Sequence, residues 1–167
     1  MINIISNNFS LKGIEAIIFD KDGTLTDSSY YWAEIIKRRS KKITHDFKLS
    51  EEDYYQLIKV MGLNILTNKL LPEGPIAIKS RSEVIKKIIC HLETKNIKIS
   101  EKYLEDIFRD IHSIFSKEAY KFIVPIPPAI KLLKILKNFN VKLFLITSDT
   151  KRNAEETVSF LNINNYF

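Results

Sequence analysis

The 167 residues include one cysteine, Cys90, so neither an internal disulfide nor a multi-cysteine zinc site can form. Cys90 lies in VIKKIICHL, where it reads as helix core. No apolar run approaches the roughly 20 residues that span a bilayer. The opening MINIISNNFS lacks the basic start and long apolar stretch of a signal peptide. These absences argue against a membrane protein and place the chain in the cytoplasm. His45, His91 and His112 show neither metal-ligand spacing nor a partner motif, and no internal repeat or low-complexity tract occurs. Acidic residues are the scarcer charge, 20 Asp and Glu against 26 Lys and Arg, for a net charge of +6. The lysines are scattered along helical faces such as IIKRRSKKI and AIKLLKILK, with no basic-aromatic motif or nucleic-acid reader module. The excess therefore reads as solvated surface and argues against a nucleic-acid partner.

What is present is the composition of a soluble globular protein, 45% hydrophobic and 28% charged. EAIIF, residues 15–19, reads as a short buried strand, and VKLFLIT, residues 141–147, as a second. The pattern between them is helical. One helix starts at Ser28 or Ser29 and carries Trp32, Ile35 and Ile36 on one face, with Trp32 read as core between helices. The next has Ser50 as N-cap, three acids in its first turn, and Tyr54, Leu57, Val60 and Met61 at helical spacing. LPEGPIAIKS breaks the pattern. A third helix follows Ser80 or Ser82 with Val84, Ile85, Ile88, Ile89 and Leu92 inward, and a fourth follows Ser100 with Leu104, Ile107, Phe108, Ile111 and Phe115 as its stripe. VPIPP ends this stretch, and Pro128 can open the helix that leads into the second strand. Strand, helical insert, helix, strand, helix is the order of a parallel α/β core, residues 1–27 plus 121–167, interrupted by an α-helical domain at 28–120. Two parallel strands leave exposed edges, through which self-association or completion by another subunit is possible.

The chemistry concentrates in AIIFDKDGTLTD, residues 16–27. Strand alternation puts Asp20 and Asp22 on one side, about 6 to 7 Å apart, and turns Lys21 away. The pair lies at the carboxyl end of a parallel strand, where open α/β sheets bind ligands. Gly23 lets the chain turn sharply there. Two neighbouring carboxylates repel each other and any anionic substrate, so a cation must enter, and a hard divalent ion such as Mg²⁺ accepts carboxylate, carbonyl and phosphate oxygens together. One carboxylate can then attack phosphorus while the other protonates the leaving oxygen and later activates water.

Asp20, Lys21, Asp22, Gly23, Thr24 and Leu25, continuing to Asp27, resemble the first motif of the haloacid dehalogenase superfamily, Asp-x-Asp-Gly-Thr-(Leu/Val) after an apolar strand. The resemblance implies a partial Rossmannoid core with an inserted helical cap of the type that enters just after this motif and closes over the site. It makes Asp20 the nucleophile and a Mg²⁺ ligand. Asp22 becomes the general acid/base and binds the metal through its backbone carbonyl. An acid at position 22 is the pattern of phosphatases and phosphomutases and not of dehalogenases. Thr147, which closes the second strand within LFLITSD, matches the second motif; its hydroxyl would bond a phosphoryl oxygen, helped by the backbone N–H of Ser148. Ser148, Asp149 or Thr150 is available to cap the next helix. Arg81, Lys79, Lys151 and Arg152 read as surface cations.

Family members follow FLNINNYF with a third core strand, a phosphoryl-neutralising Lys and a late acidic motif. The resemblance thus implies a core truncated before those motifs. The expected function is Mg²⁺-dependent, phosphatase-like hydrolysis of a small phosphorylated metabolite through an aspartyl-phosphate. The alternatives are a catalytically silent remnant that binds a ligand or partner, and a phosphomutase.

Overall fold

Short apolar alternation near both ends of the chain forms strands, and the long 3.6-period stretch between them forms helices. The computed structural model describes residues 1–167, apart from the side chain of Ala77. Its elements run β1 (Ile2–Ser6), β2 (Phe9–Ile14), β3 (Ala16–Asp20), β4 (Thr26–Asp27), α1 (Ser29–Asp46), α2 (Glu51–Val60), β5 (Leu63–Asn64), β6 (Lys69–Leu70) and α3 (Pro75–Ile78). They continue as α4 (Arg81–Glu93), α5 (Glu101–Ser116), β7 (Val124–Pro125), α6 (Pro127–Asn138), β8 (Lys142–Ile146) and α7 (Lys151–Phe160). Two units result, Met1–Ser28 with Ile123–Phe167, and Ser29–Phe122. Among the described residues no helix is long and apolar enough to cross a membrane.

In the first unit β3 and β8 pair in parallel over five residues, from Ala16 opposite Lys142 to Asp20 opposite Ile146. The pleat gives this pair two unlike faces. Phe19 and Leu143 are buried with Leu133 and Leu136 of α6 and Val158 of α7, whereas Ile18, Phe144 and Ile146 are more than half exposed on the other face. Pro127 and Pro128 open α6, where a missing N–H costs nothing. Thr150 caps α7 by accepting the Asn153 N–H at 3.2 Å. β1 and β2 form an antiparallel hairpin that the sequence reading did not anticipate. Its side chains are mostly exposed, so no buried face imprints a readable alternation.

In the second unit α1 packs on α2 and α5, and α4 packs on the same two helices. Leu57, Ile58, Ile85, Ile88, Leu104 and Phe108 are buried at the centre. Ser50 and Ser80 head α2 and α4 in reciprocal capping boxes with Asp53 and Glu83, and Ser100 caps α5. Trp32 is half-buried, its ring edge-on to Tyr31 at 5.3 Å. Cys90 corrects the sequence reading, because it is exposed. It follows the buried Ile88 by two residues, about 200° around a helix of 3.6 residues per turn, and so points away from the apolar stripe.

Three backbone features tie the second unit's long connection together. Leu71 N donates to the Gly62 carbonyl at 2.8 Å, Gly62 has φ +93, and a Cβ on Gly62 would lie 2.7 Å from the Gly74 Cα. Both the dihedral and the crossing demand glycine. Gly62→Ala is therefore expected to cost about 2 kcal/mol or more, read as a lower urea midpoint of unfolding.

Two carboxylates bind helix ends of this unit to neighbours. Asp53, at the head of α2, is held down at about 2 by hydrogen bonds from Lys95 and Ser50. Burial alone would push Asp46 up, but hydrogen bonds from Lys42, Tyr103 and His45 prevail and hold it at about 2 as well. A carboxyl depressed in the folded state stabilises it above the ordinary range near 4 and loses that contribution as pH falls through about 2. Urea unfolding across a pH series is expected to show stability declining between about pH 4 and pH 2, with a shallower decline in Lys95→Met.

Candidate active site

β3 and β8 leave their sheet at the same end, as parallel neighbours must. Asp20 is the last paired residue of β3 and sits opposite Ile146, so Thr147 begins the adjoining loop. The register therefore brings together at one edge two segments separated in sequence by the whole helical insertion. Asp20 is exposed, and among the described residues no hydrogen bond or ion pair holds its carboxylate. Thr147 is half-buried, and its Oγ1 accepts the Asp149 N–H at 3.1 Å, which leaves the hydroxyl proton for another acceptor. Ser148, exposed, lies between them in the same loop.

After Asp20 the chain wraps into a tight turn. The Lys21 carbonyl accepts from Leu25 N at 2.9 Å and Thr26 N at 3.0 Å, and Gly23 N donates to the Thr26 carbonyl at 2.7 Å. The Asp22 carbonyl takes no part in these bonds. Thr26, itself buried, donates its hydroxyl weakly to the Lys21 carbonyl and to Asp22 Oδ1, at 3.3 and 3.4 Å. Leu25 is fully buried in the first unit's core and anchors the turn from below.

Lys21 departs from the sequence expectation. Alternation had turned it away from the two acids; instead it is 6% exposed, with Nζ 2.9 Å from Asp22 Oδ1 and 3.2 Å from Asp149 Oδ2. The physical reason is the end of the strand. Position 21 lies beyond the last ladder pair, and the turn around its carbonyl, not the pleat, aims its side chain. The site thus contains a cation of its own.

Asp149 is the second residue the sequence reading missed, having been weighed only as a helix cap. Thr150 takes that role, and Asp149 faces Lys21. Its Oδ1 accepts from Thr150 N at 2.8 Å and Asn153 Nδ2 at 2.9 Å, while its Oδ2 meets Lys21. Burial alone would push this carboxyl up, but the Asn153 and Thr150 hydrogen bonds and the Lys21 charge outweigh it and hold it below the ordinary range. A signal for it existed in the chain, namely an acid two residues after a strand-ending threonine, opposite a lysine between two acids. Lys151 and Arg152, by contrast, are exposed and pair with Glu155 and Glu156 at 3.8 and 2.8 Å. Arg81 is exposed as well, and Lys79 pairs with Glu83 at 3.4 Å.

Among the described residues no group of three or more His, Cys, Asp or Glu side chains is arranged to hold a metal ion. Mg²⁺ nonetheless needs only one or two protein carboxylates when it keeps water and shares a substrate phosphate. The unpartnered carboxylate of Asp20 and the Asp22 carbonyl outside the turn's hydrogen bonds fit that minimal donor set.

The model of one protein family, described as haloacid dehalogenase-like hydrolase, matches residues 14–167. The chain belongs to this family. Its α/β fold with a parallel strand pair recurs in solved structures of the family and its neighbours. A candidate beta-phosphoglucomutase from Thermotoga maritima is 24% identical at a TM-score of 0.56, with 92% of this chain and 59% of that one covered. A candidate phosphatase from Clostridium difficile is 20% identical at 0.57, with 94% and 60% covered. A haloacid dehalogenase-like family hydrolase from Streptococcus pneumoniae is 19% identical at 0.51, with 92% and 59% covered. At such identities the likeness is one of fold. The chain spans about three fifths of the length of these proteins. A comparison with curated proteins finds no match.

The turn that carries Asp22 depends on Gly23, whose φ is +84 although its Cβ position is open, with nothing within 4 Å. The cost of a side chain there is one of backbone conformation alone. Gly23→Ala is expected to destabilise the first unit by about 1 kcal/mol, less than Gly62→Ala destabilises the second, as read by urea unfolding of the two variants.

Proposed function

We propose that this chain is a Mg²⁺-dependent, phosphatase-like hydrolase that acts on a small phosphomonoester through an aspartyl-phosphate on Asp20. The observation that carries the reading is the β3–β8 register, which ends in Asp20 on one strand and Thr147 just past the end of the other. A nucleophile and a hydroxyl donor at adjoining strand ends suit attack on a phosphoryl group, the carboxylate facing phosphorus and the hydroxyl an equatorial oxygen.

In this reading an Asp20 carboxylate oxygen attacks phosphorus, the ester P–O bond breaks, and Asp22 gives the leaving oxygen its proton. Asp22 then takes a proton from water, which attacks the aspartyl-phosphate, releases inorganic phosphate and regenerates Asp20. The Thr147 hydroxyl and the Ser148 N–H donate to the phosphoryl oxygens as charge shifts among them. Asp20 and the Asp22 carbonyl would hold Mg²⁺, which would supply positive charge against the phosphoryl oxygens. Transfer of the phosphoryl group to a second hydroxyl of a sugar, the phosphomutase alternative, uses the same first step and differs only in the acceptor.

The test is phosphate release from a panel of phosphomonoesters, with and without Mg²⁺. Asp20→Asn is expected to lower turnover by about a thousandfold or more, and Thr147→Val by about a hundredfold. Turnover that persists in Asp20→Asn removes the nucleophile from the proposal. Phosphate that reappears on a second sugar position and not in solution marks a mutase. Phosphate binding without turnover marks a binding protein.

A further inference from the structure

Resting on that phosphoryl-transfer reading, we propose that Lys21 is a positioning residue that sets the charge of the site so that it accepts one divalent cation together with a phosphate anion. Three acidic residues belong to the strand ends and the loops that follow them: Asp20 at the last β3 pair, Asp22 one residue past Lys21, and Asp149 in the loop after β8. Lys21 is the cation among them, almost fully buried, and its Nζ reaches one carboxylate from each loop. With Asp22 carrying the proton it gives to the leaving oxygen, two negative charges and one positive leave an excess of one, and a divalent ion then makes the site positive toward a phosphate. Without Lys21 the excess is two, and the same ion leaves no net positive charge for the anion.

The geometry suits this role better than a plain surface ion pair. A lysine buried against two acids loses its hydration, and its charge acts through low-dielectric surroundings where little water screens it. Both acids have further partners: Thr150 N and Asn153 Nδ2 fix Asp149 Oδ1, and Thr26 reaches Asp22 Oδ1 more weakly. Lys21 therefore joins two already oriented carboxylates and ties the first loop to the second. Loss of a mere brace would loosen both loops and weaken every ligand. Loss of a charge setter moves a cation and an anion in opposite directions.

That difference in sign is the test. Mg²⁺ alone, and inorganic phosphate at saturating Mg²⁺, are titrated calorimetrically into the wild-type chain, Lys21→Met, Asp149→Asn and the double variant. Lys21→Met is expected to bind Mg²⁺ about tenfold more tightly and phosphate about tenfold more weakly, the scale of one unit charge a few ångströms away in partly screened surroundings. Asp149→Asn is expected to shift both in the opposite sense, and the double variant to return both to within about threefold of wild type. The proposal is overturned if Lys21→Met weakens both ligands, if it moves neither, or if the double variant does not recover. Should circular dichroism show Lys21→Met unfolded, Asp149→Asn decides alone: weaker Mg²⁺ with tighter phosphate supports the assignment, and any other result overturns it. Ester hydrolysis that does not depend on Asp20 defeats the phosphatase reading, whereas Asp20-dependent hydrolysis without these opposed shifts defeats the Lys21 assignment alone. A wild-type chain that binds neither probe overturns both.

Discussion

Five parallel residue pairs between β3 and β8 are the constraint on which the candidate site rests. A hydrogen-bonded ladder of this kind transmits register without slack: Asp20 opposite Ile146 obliges the next residues on both strands to leave the sheet together. The first unit's apolar packing holds that register, with Phe19 and Leu143 turned into one core with Leu133, Leu136 and Val158. A slip by one residue would exchange Phe19 for Ile18 in that core and carry Asp20 out of line with Thr147. Position at the site is therefore a consequence of burial on the opposite side of the same two strands.

Charge is the second organising principle, and it acts locally. A strand end crowded with carboxylates would be unfavourable in isolation, and the chain answers with a lysine inside the motif itself. One ion pair, Lys21 with Asp22, lies within the first loop, and the other, Lys21 with Asp149, reaches across to the second. Together they convert two independent turns into one cross-linked edge, with Asn153 and the Thr150 N–H holding the far oxygen of Asp149 and Thr26 sharing the Asp22 oxygen that Lys21 meets. Asp20 remains outside this network, exposed and unpaired among the described residues.

Much of the architecture was legible because its causes are local. Ser50, Ser80 and Ser100 announce helix starts through a hydroxyl three residues from the N–H it accepts, and each caps its helix in the structure. The apolar stripes of α4 and α5 follow from helical periodicity. Misreadings arose where a periodic rule was carried past the element that justifies it. Cys90 was placed in the core by its apolar neighbours, though its angular position on α4 points it outward. Lys21 was turned away by a strand pleat that ends one residue earlier. The β1–β2 hairpin escaped notice because a mostly exposed hairpin leaves no buried alternation to read.

The sequence by itself determined the chemistry on offer: two acids, a glycine and a threonine after one apolar strand, and a threonine and an acid after another. Residue identity and short-range order settle such things, since they depend on bonds and on contacts a few residues apart. Which groups face one another was decided only by the tertiary structure. That Asp149 meets Lys21, and so shares that cation with Asp22, follows from two loops brought edge to edge by parallel pairing across the whole helical insertion. No local rule carries information over that distance; only the burial of Phe19 and Leu143 in one core does.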